Sequence, residues 1–104
     1  MKLLEKDITK QIRDYLKIRG ILHIKPLQGL GATPGLADIL CCLKPSGRFV
    51  AIEVKVEKGH LTDPQRDFLQ AIRLHGGTGF VARSVDDVIE KLKEIEDGEA
   101  MESK

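Results

Sequence analysis

Two acids and a lysine in the middle of this 104-residue chain are the residues best suited to chemistry. Asp38 opens one apolar run, and Glu53 and Lys55 lie two positions apart in the next one. Because side chains alternate along a strand, Glu53 and Lys55 share a face. A buried carboxylate and a buried ammonium are unfavourable unless they pair or bind a cation. For Glu53 and Lys55 alone, a salt-bridged solvent face is the alternative.

The position of Asp38 favours a metal site. If the two runs pair as a hairpin around residues 44–48, Asp38 and Glu53 lie near each other across the ladder. Neighbouring carboxylates repel unless a positive charge lies between them, and oxygen ligands without a Cys or His set suit Mg²⁺ or Mn²⁺. Lys55 beside them is placed to orient or deprotonate an attacking water, or to offset charge on a phosphorane-like transition state.

The first amphipathic segment, residues 3–19, adds a third acid. At about 100° per residue, its apolar stripe is centred within roughly 50° of Glu5, so we expect Glu5 to flank the buried face and not to point at solvent. The alternative is favourable placement of Glu5 near a helix N-terminus. Basic residues line the other side of the helix: Lys2, Lys6, Lys10, Arg13 and Lys17. We interpret this basic stripe as a solvated face partly paired with Asp7 and Asp14, in preference to a DNA track.

Gln65 has a structural explanation of its own. Residues 62–65 fit a capping box, in which the Gln65 side chain returns to the backbone N–H of Thr62. From the residues alone, this is the only role that we assign to Gln65.

Periodicity and turn residues predict the elements that must position these side chains. Helices are expected at 3–19, at 62–74 and from Ser84 onward, and strands at 21–25, 37–43, 49–56 and 79–83. The resulting order is α-β-β-β-α-β-α. A helix that crosses between the third and fourth strands makes them parallel neighbours, so the predicted class is α/β, with a mixed sheet flanked by helices.

Charge is distributed unevenly along the chain. The net charge is +1, yet residues 94–104 contain five acids and one base, which leaves 16 bases and 11 acids in residues 1–93. We therefore predict one mildly basic domain over residues 1–96 and an acidic, disordered tail over 97–104. The longest apolar run has five residues, so we expect no membrane partner and a cytoplasmic location.

Several other site classes are excluded by spacing. The glycines near residue 30 precede a strand where a phosphate-binding loop requires a helix. The three histidines are scattered, and the two cysteines are adjacent, so no zinc spacing exists. With four aromatic residues, the chain offers little stacking surface, and any nucleic acid would bind through its phosphates.

The ordered set of these residues resembles the PD-(D/E)XK nuclease superfamily, with a restriction-endonuclease-like core. The motifs are Glu5 in the first helix, Gly35-x-x-Asp38 opening a strand, Glu53-Val54-Lys55 in the next strand, and Gln65 starting the following helix. More narrowly, the chain looks like a stand-alone VRR-NUC domain of the virus-type replication-repair nucleases. At Ala37 it departs from the family, which usually has proline before the aspartate.

This resemblance implies a nuclease that depends on Mg²⁺ or Mn²⁺ and cuts branched DNA at junctions or flaps, leaving 5′-phosphates. Asp38, Glu53 and the Val54 carbonyl would be the metal ligands, and Lys55 the catalytic lysine. Glu5 would be the acid of the first helix, and Gln65 would lie near the lysine and the scissile phosphate. The resemblance also implies a homodimer encoded by a bacterium or a phage.

Two alternatives stay open on the same fold. One is a catalytically silent module for DNA binding or dimerisation. The other is an archaeal-type Holliday junction resolvase, which shares the same order of acids, lysine and glutamine.

Overall fold

Three helices and four strands make up the part of the chain that the computed structural model describes, residues 2–29 and 31–102. In chain order they are α1 (Glu5–Ile18), β1 (Leu22–Ile24), β2 (Ile39–Leu43), β3 (Arg48–Val54), α2 (Asp63–Leu74), β4 (Thr78–Ala82) and α3 (Val85–Glu102). The order α-β-β-β-α-β-α and the α/β class that the sequence predicts are confirmed. Among the described residues, no helix combines the length and apolarity needed to cross a membrane.

The four strands form one mixed sheet in the order β1-β2-β3-β4. The pairs β1–β2 and β2–β3 are antiparallel, whereas β3 and β4 run parallel because α2 crosses between them. The predicted parallel pairing of the third and fourth strands is therefore confirmed. In the hairpin, Ile39 lies opposite Ile52, and this register determines which residues meet where β2 begins and β3 ends.

Helices cover the two faces of the sheet unequally. The α1 and α3 side holds most of the core, including Ile12, Leu16, Val50, Ile52 and Leu92, all fully buried. The α2 side holds a small cluster centred on Ala37, Ala51 and Leu69. Since side chains alternate along β3, the valines and Ile52 face the large core, and Glu53 points to the α2 side. The acid is thus on the less filled face.

The C-terminal segment differs from its prediction. Residues 97–102 are not disordered but continue α3, while residues 103 and 104 lie outside the described part. Contacts with the rest of the fold explain this: Arg19 Nη2 donates to Glu96 Oε1 at 2.6 Å, and Arg48 Nε donates to Glu99 Oε2 at 2.9 Å. The acids of this segment hold it against the body, an effect that its local composition does not reveal. The domain limits of 1–96 stay a prediction.

Candidate active site

Asp38 and Glu53 meet where β2 begins and β3 ends. Beyond the pair Ile39 and Ile52, the same register places Asp38 opposite Glu53. The Val54 backbone N–H donates a hydrogen bond of 2.7 Å to Asp38 Oδ2, which fixes the Asp38 carboxylate at this edge. The prediction that the two carboxylates come together across the hairpin is confirmed.

Glu53 is buried with too few donors for a carboxylate. Its exposed fraction is 3%. Its Oε1 accepts a hydrogen bond from Gln65 Nε2 at 3.1 Å and lies 3.9 Å from Lys55 Nζ, but its Oε2 has no hydrogen-bond partner among the described residues. Burial, then the adjacent Asp38 carboxylate, raise the pKa of Glu53 to about 8, and the charge of Lys55 opposes them. Without a cation, this acidic pair therefore retains a proton at neutral pH.

Gln65 performs its structural task and points at Glu53 at the same time. Its Oε1 accepts the Thr62 backbone N–H at 3.0 Å, and its own backbone N–H donates to Thr62 Oγ1 at 3.3 Å, which completes the predicted capping box. Because the amide oxygen is occupied by the cap, the amide nitrogen must face the other way, towards Glu53. The helix cap thereby orients a donor to the buried carboxylate.

Glu5 lies at the first residue of α1 and is exposed. The expectation that it does not point at solvent is wrong: its angular position is on the apolar side, but a side chain at the end of a helix has no neighbouring turn to cover it. Its charge nevertheless contributes to the raised pKa of Glu53 as the last of the causes. Glu5 is therefore within electrostatic range of the carboxylates, with no hydrogen bond to them among the described residues.

Lys55 is the first residue after β3, and the loop that follows it is fastened to the end of β4. The Lys55 backbone N–H donates to the Ala82 carbonyl at 3.1 Å, and its side chain is 11% exposed. Arg83 Nη1 donates to the carbonyl oxygens of residues 56, 57 and 59 at 2.6 to 3.1 Å. One guanidinium thus restricts the segment that carries the lysine.

Gly35 lets the loop before Asp38 approach the start of α2. Its φ of +72° is one that L side chains rarely adopt, and a Cβ here would overlap the Pro64 carbonyl and lie 2.6 Å from the Gln65 backbone nitrogen. The glycine therefore brings the Asp38 loop and the Gln65 helix into direct contact. Replacing it would separate the two halves of the site.

Comparisons with known proteins identify the family and support the fold. The profile of the VRR-NUC domain family matches residues 4–86. The chain belongs to the VRR-NUC domain family. A solved structure described as a VRR_NUC domain is 30% identical and superposes with a TM-score of 0.69, covering 83% of this chain and 94% of that one. A second, described as a VRR_NUC domain protein, is 19% identical with a TM-score of 0.69 and covers 89% of this chain and 88% of that one. No curated protein matches the chain.

Membership assigns a nuclease-type fold, since VRR-NUC domains are generally nucleases. The site of this VRR-NUC domain suits a hard divalent cation. Among the described residues no group of three or more acidic, His or Cys side chains could hold a metal. The two carboxylates of Asp38 and Glu53 lie opposite each other instead, and Mg²⁺ commonly binds through one or two carboxylates together with substrate phosphates. The unpartnered, buried Oε2 of Glu53 is the observation that supports this fit. A cation there would replace the proton that the acidic pair otherwise retains.

The structural roles of two residues in this VRR-NUC site were not predicted from the sequence. Arg83 follows β4, and the parallel register that pairs Val54 with Ala82 places it beside Lys55, so the predicted strand pairing contained the signal. Gly35 belongs to a recognised motif, but its contact with Pro64 joins segments that are distant in the sequence. No local sequence pattern predicts that contact.

Proposed function

We propose that this protein is a divalent-metal-dependent DNA endonuclease that hydrolyses phosphodiester bonds at branched DNA and leaves 5′-phosphates. The observation that carries the proposal is the buried Glu53 carboxyl, which faces Asp38 and has an oxygen without a donor among the described residues. A structural glutamate would be paired, whereas a ligand to a cation needs a free oxygen.

The proposal assigns a role to each side chain of the site. Asp38, Glu53 and the Val54 carbonyl would hold Mg²⁺ or Mn²⁺, which supplies Lewis-acid stabilisation of phosphate charge and lowers the pKa of water. Lys55 Nζ, 3.9 Å from Glu53 Oε1, stabilises negative charge on the phosphate or orients the attacking water. Gln65 Nε2 holds Glu53 in position. Water adds to phosphorus, the P–O3′ bond breaks, and the 3′ oxygen leaves with a proton.

Recognition of a branch is proposed to involve a homodimer. The edge strand β1 exposes Leu22 and Ile24 by 70% and 56%, and Phe49 is 43% exposed. Leu22 on the edge strand and Phe49 on the interior strand β3 lie in one cross-strand row through Cys42. Apolar side chains exposed on an edge strand and the adjoining sheet face favour association with another protein surface. Two copies would present two sets of carboxylates to the arms of a branched substrate. Light scattering after size exclusion, as a function of protein concentration, tests for the dimer.

The decisive experiment is a cleavage assay on duplex, flap and four-way DNA at a fixed salt concentration with Mg²⁺, Mn²⁺ or EDTA. We expect metal-dependent products with 5′-phosphates from the wild type and none in EDTA. Asp38→Ala, Glu53→Ala and Lys55→Ala should each abolish cleavage and keep the circular dichroism of the wild type. Lys93→Gln, a change at an exposed position on α3, is the control.

The same assay separates the alternatives. Retained binding of branched DNA without any product in Mn²⁺ would instead favour the silent module. Symmetrical cuts in a mobile four-way junction, with the flap left intact, would favour the resolvase. Cleavage by Lys55→Ala at the wild-type rate would refute the mechanism given for the lysine.

A further inference from the structure

We propose that a basic cleft beside α1 is a binding site for phosphate groups of the DNA backbone, separate from the carboxylates. The cleft has a volume of about 340 Å³ and is lined by five basic side chains and one acid: Lys6, Lys10, Arg13, Lys17, Lys25 and Asp14. Lys25 comes from the segment after β1, so the fold, and not the helix alone, makes the surface concave. The inference rests on the proposed function, because that function makes DNA the ligand.

The basic side chains of this cleft are largely unpaired. The sequence predicts a stripe partly paired with Asp7 and Asp14, but Asp7 Oδ2 accepts the Leu4 backbone N–H at 2.9 Å instead. Asp14 pairs with Lys10 at 2.7 Å. Among residues 2–29 and 31–102, no ion pair or hydrogen bond engages the side chains of the other three lysines: Lys6, Lys17 and Lys25. The cleft therefore carries a clear excess of positive charge.

Arg13 contributes the group that distinguishes the cleft from an ordinary solvated face. Its Nε is buried and has no hydrogen-bond partner among the described residues. An unpaired buried donor is unfavourable, and a guanidinium presents paired N–H groups that match two oxygens of one phosphate. The positive charges already act together on the one acid present: hydrogen bonding to Lys10, then the charges of Lys10, Lys17 and Arg13, lower the pKa of Asp14.

The cleft lies where a substrate in the active site can reach it. Its first lysine, Lys6, follows Glu5 directly, and Thr9, which also lines it, donates from Oγ1 to the Glu5 carbonyl at 2.8 Å. Ile8, on the same turn of α1, belongs to the same buried cluster as Val54, the residue after Glu53. From Lys6 to Lys17 the helix rises about 16 Å at roughly 1.5 Å per residue, which is several phosphate spacings along a DNA strand. A strand bound at the carboxylates would therefore continue along α1.

The test is DNA binding as a function of salt, measured in EDTA so that no strand is cut. Fluorescence anisotropy of a labelled duplex and a labelled flap is recorded from 50 to 300 mM NaCl for wild type, Arg13→Gln, Lys25→Gln and the control Lys93→Gln. We expect each cleft variant to bind about tenfold more weakly and to lower the slope of log K against log salt by about 0.9, the value for one phosphate contact. The control should keep the wild-type slope.

Several outcomes would overturn the proposal. An equal loss in Lys93→Gln would mean that only overall charge matters, and an unchanged slope in both cleft variants would mean that no phosphate is contacted. Equally tight binding of polyglutamate, or of vesicles containing phosphatidylserine, with the same dependence on Arg13 would identify a surface that does not select DNA. If Arg13→Gln is unfolded by circular dichroism, the exposed Lys25 carries the test.

The result is independent of whether the protein cuts DNA. If the proposed nuclease function fails, the wild type and variants give no product in Mn²⁺ while the salt slopes still differ. If the cleft proposal fails, metal-dependent cleavage persists, and Arg13→Gln and Lys25→Gln have the wild-type KM.

Discussion

Glu53 and Glu99 are both held by side chains from other parts of the chain, yet their surroundings shift the carboxyl pKa in opposite directions. Glu99 Oε2 accepts hydrogen bonds from Ser46 Oγ at 2.7 Å and from Arg48 Nε at 2.9 Å, and these donors lower the pKa of Glu99. At Glu53, burial and the adjacent Asp38 outweigh Lys55 and raise the pKa to about 8.

The opposite pKa shifts distinguish an acid with a structural role from an acid that can bind a ligand. A carboxylate that receives an arginine and a hydroxyl is stable as an anion and fastens α3 to the β2–β3 turn. A carboxylate buried beside a second acid is stable only when a proton or a cation is added. Both positions are occupied by glutamate, so residue type alone does not distinguish them.

The largest expected difference between the two acids is in catalysis. Glu53→Gln should reduce single-turnover cleavage in Mg²⁺ by about a thousandfold, because a neutral amide is a poor ligand for a divalent cation. Glu99→Gln should keep the wild-type rate. If both variants are folded and both lose activity, Glu99 also contributes to catalysis, and its role is not purely structural.

Two glycines, one in the loop before Asp38 and one next to Glu99, should respond in opposite ways to alanine. Gly35→Ala is expected to destabilise the protein by about 3 kcal/mol, since its positive φ and its contact with Pro64 leave no space for a methyl group. Gly98→Ala, next to Glu99 in α3, meets no atom within 4 Å and should stabilise the helix by about 0.5 to 1 kcal/mol. Urea unfolding of both variants measures the two effects, and a tolerated Gly35→Ala would contradict the close approach.

The pH dependence of stability should also have opposite signs. The folded pKa of Glu53 lies above its ordinary value of 4.5, so its contribution is fully present below pH 4.5 and is lost as the pH rises through about 8. In EDTA, the free energy of unfolding should fall by up to about 1.4 kcal/mol per pH unit within that window. Glu53→Gln removes this loss, and the difference between the two titrations isolates Glu53 from the histidines.

Glu99 should give the smallest effect and the reverse sign. Because its pKa is lowered, its contribution is present above the ordinary value of 4.5 and is lost as the pH falls below it. Glu99→Gln should therefore cause a slight loss of thermal stability at pH 7, reduced at high salt, as expected for a partly exposed ion pair. A stability loss that is insensitive to salt would point to packing of α3 and not to the ion pair.

The parts of the site that could be predicted from the sequence are those that depend on local repeats. Strand alternation put Glu53 and Lys55 on one face, the hairpin put Asp38 near Glu53, and the capping pattern put Gln65 at a helix start. The predictions that differ from the structure concern segments whose conformation or exposure depends on contacts between distant parts of the chain. Composition suggested disorder for residues 97–102, and a helical angle suggested that Glu5 is covered. Neither composition nor a helical angle shows which residues pack against a segment.

The sequence by itself determined the order of elements, the parallel crossover and the identity of the two carboxylates, since these follow from periods of 2 and 3.6 residues and from turn residues. Only the tertiary structure decided the protonation of those acids. Their charge state depends on burial, on the approach of Asp38 to Glu53 and on the charge of Lys55. The basic cleft on α1 exists because Lys25 is brought to the helix from beyond β1. Electrostatics is set by distances in space, and the sequence pattern records only distances along the chain.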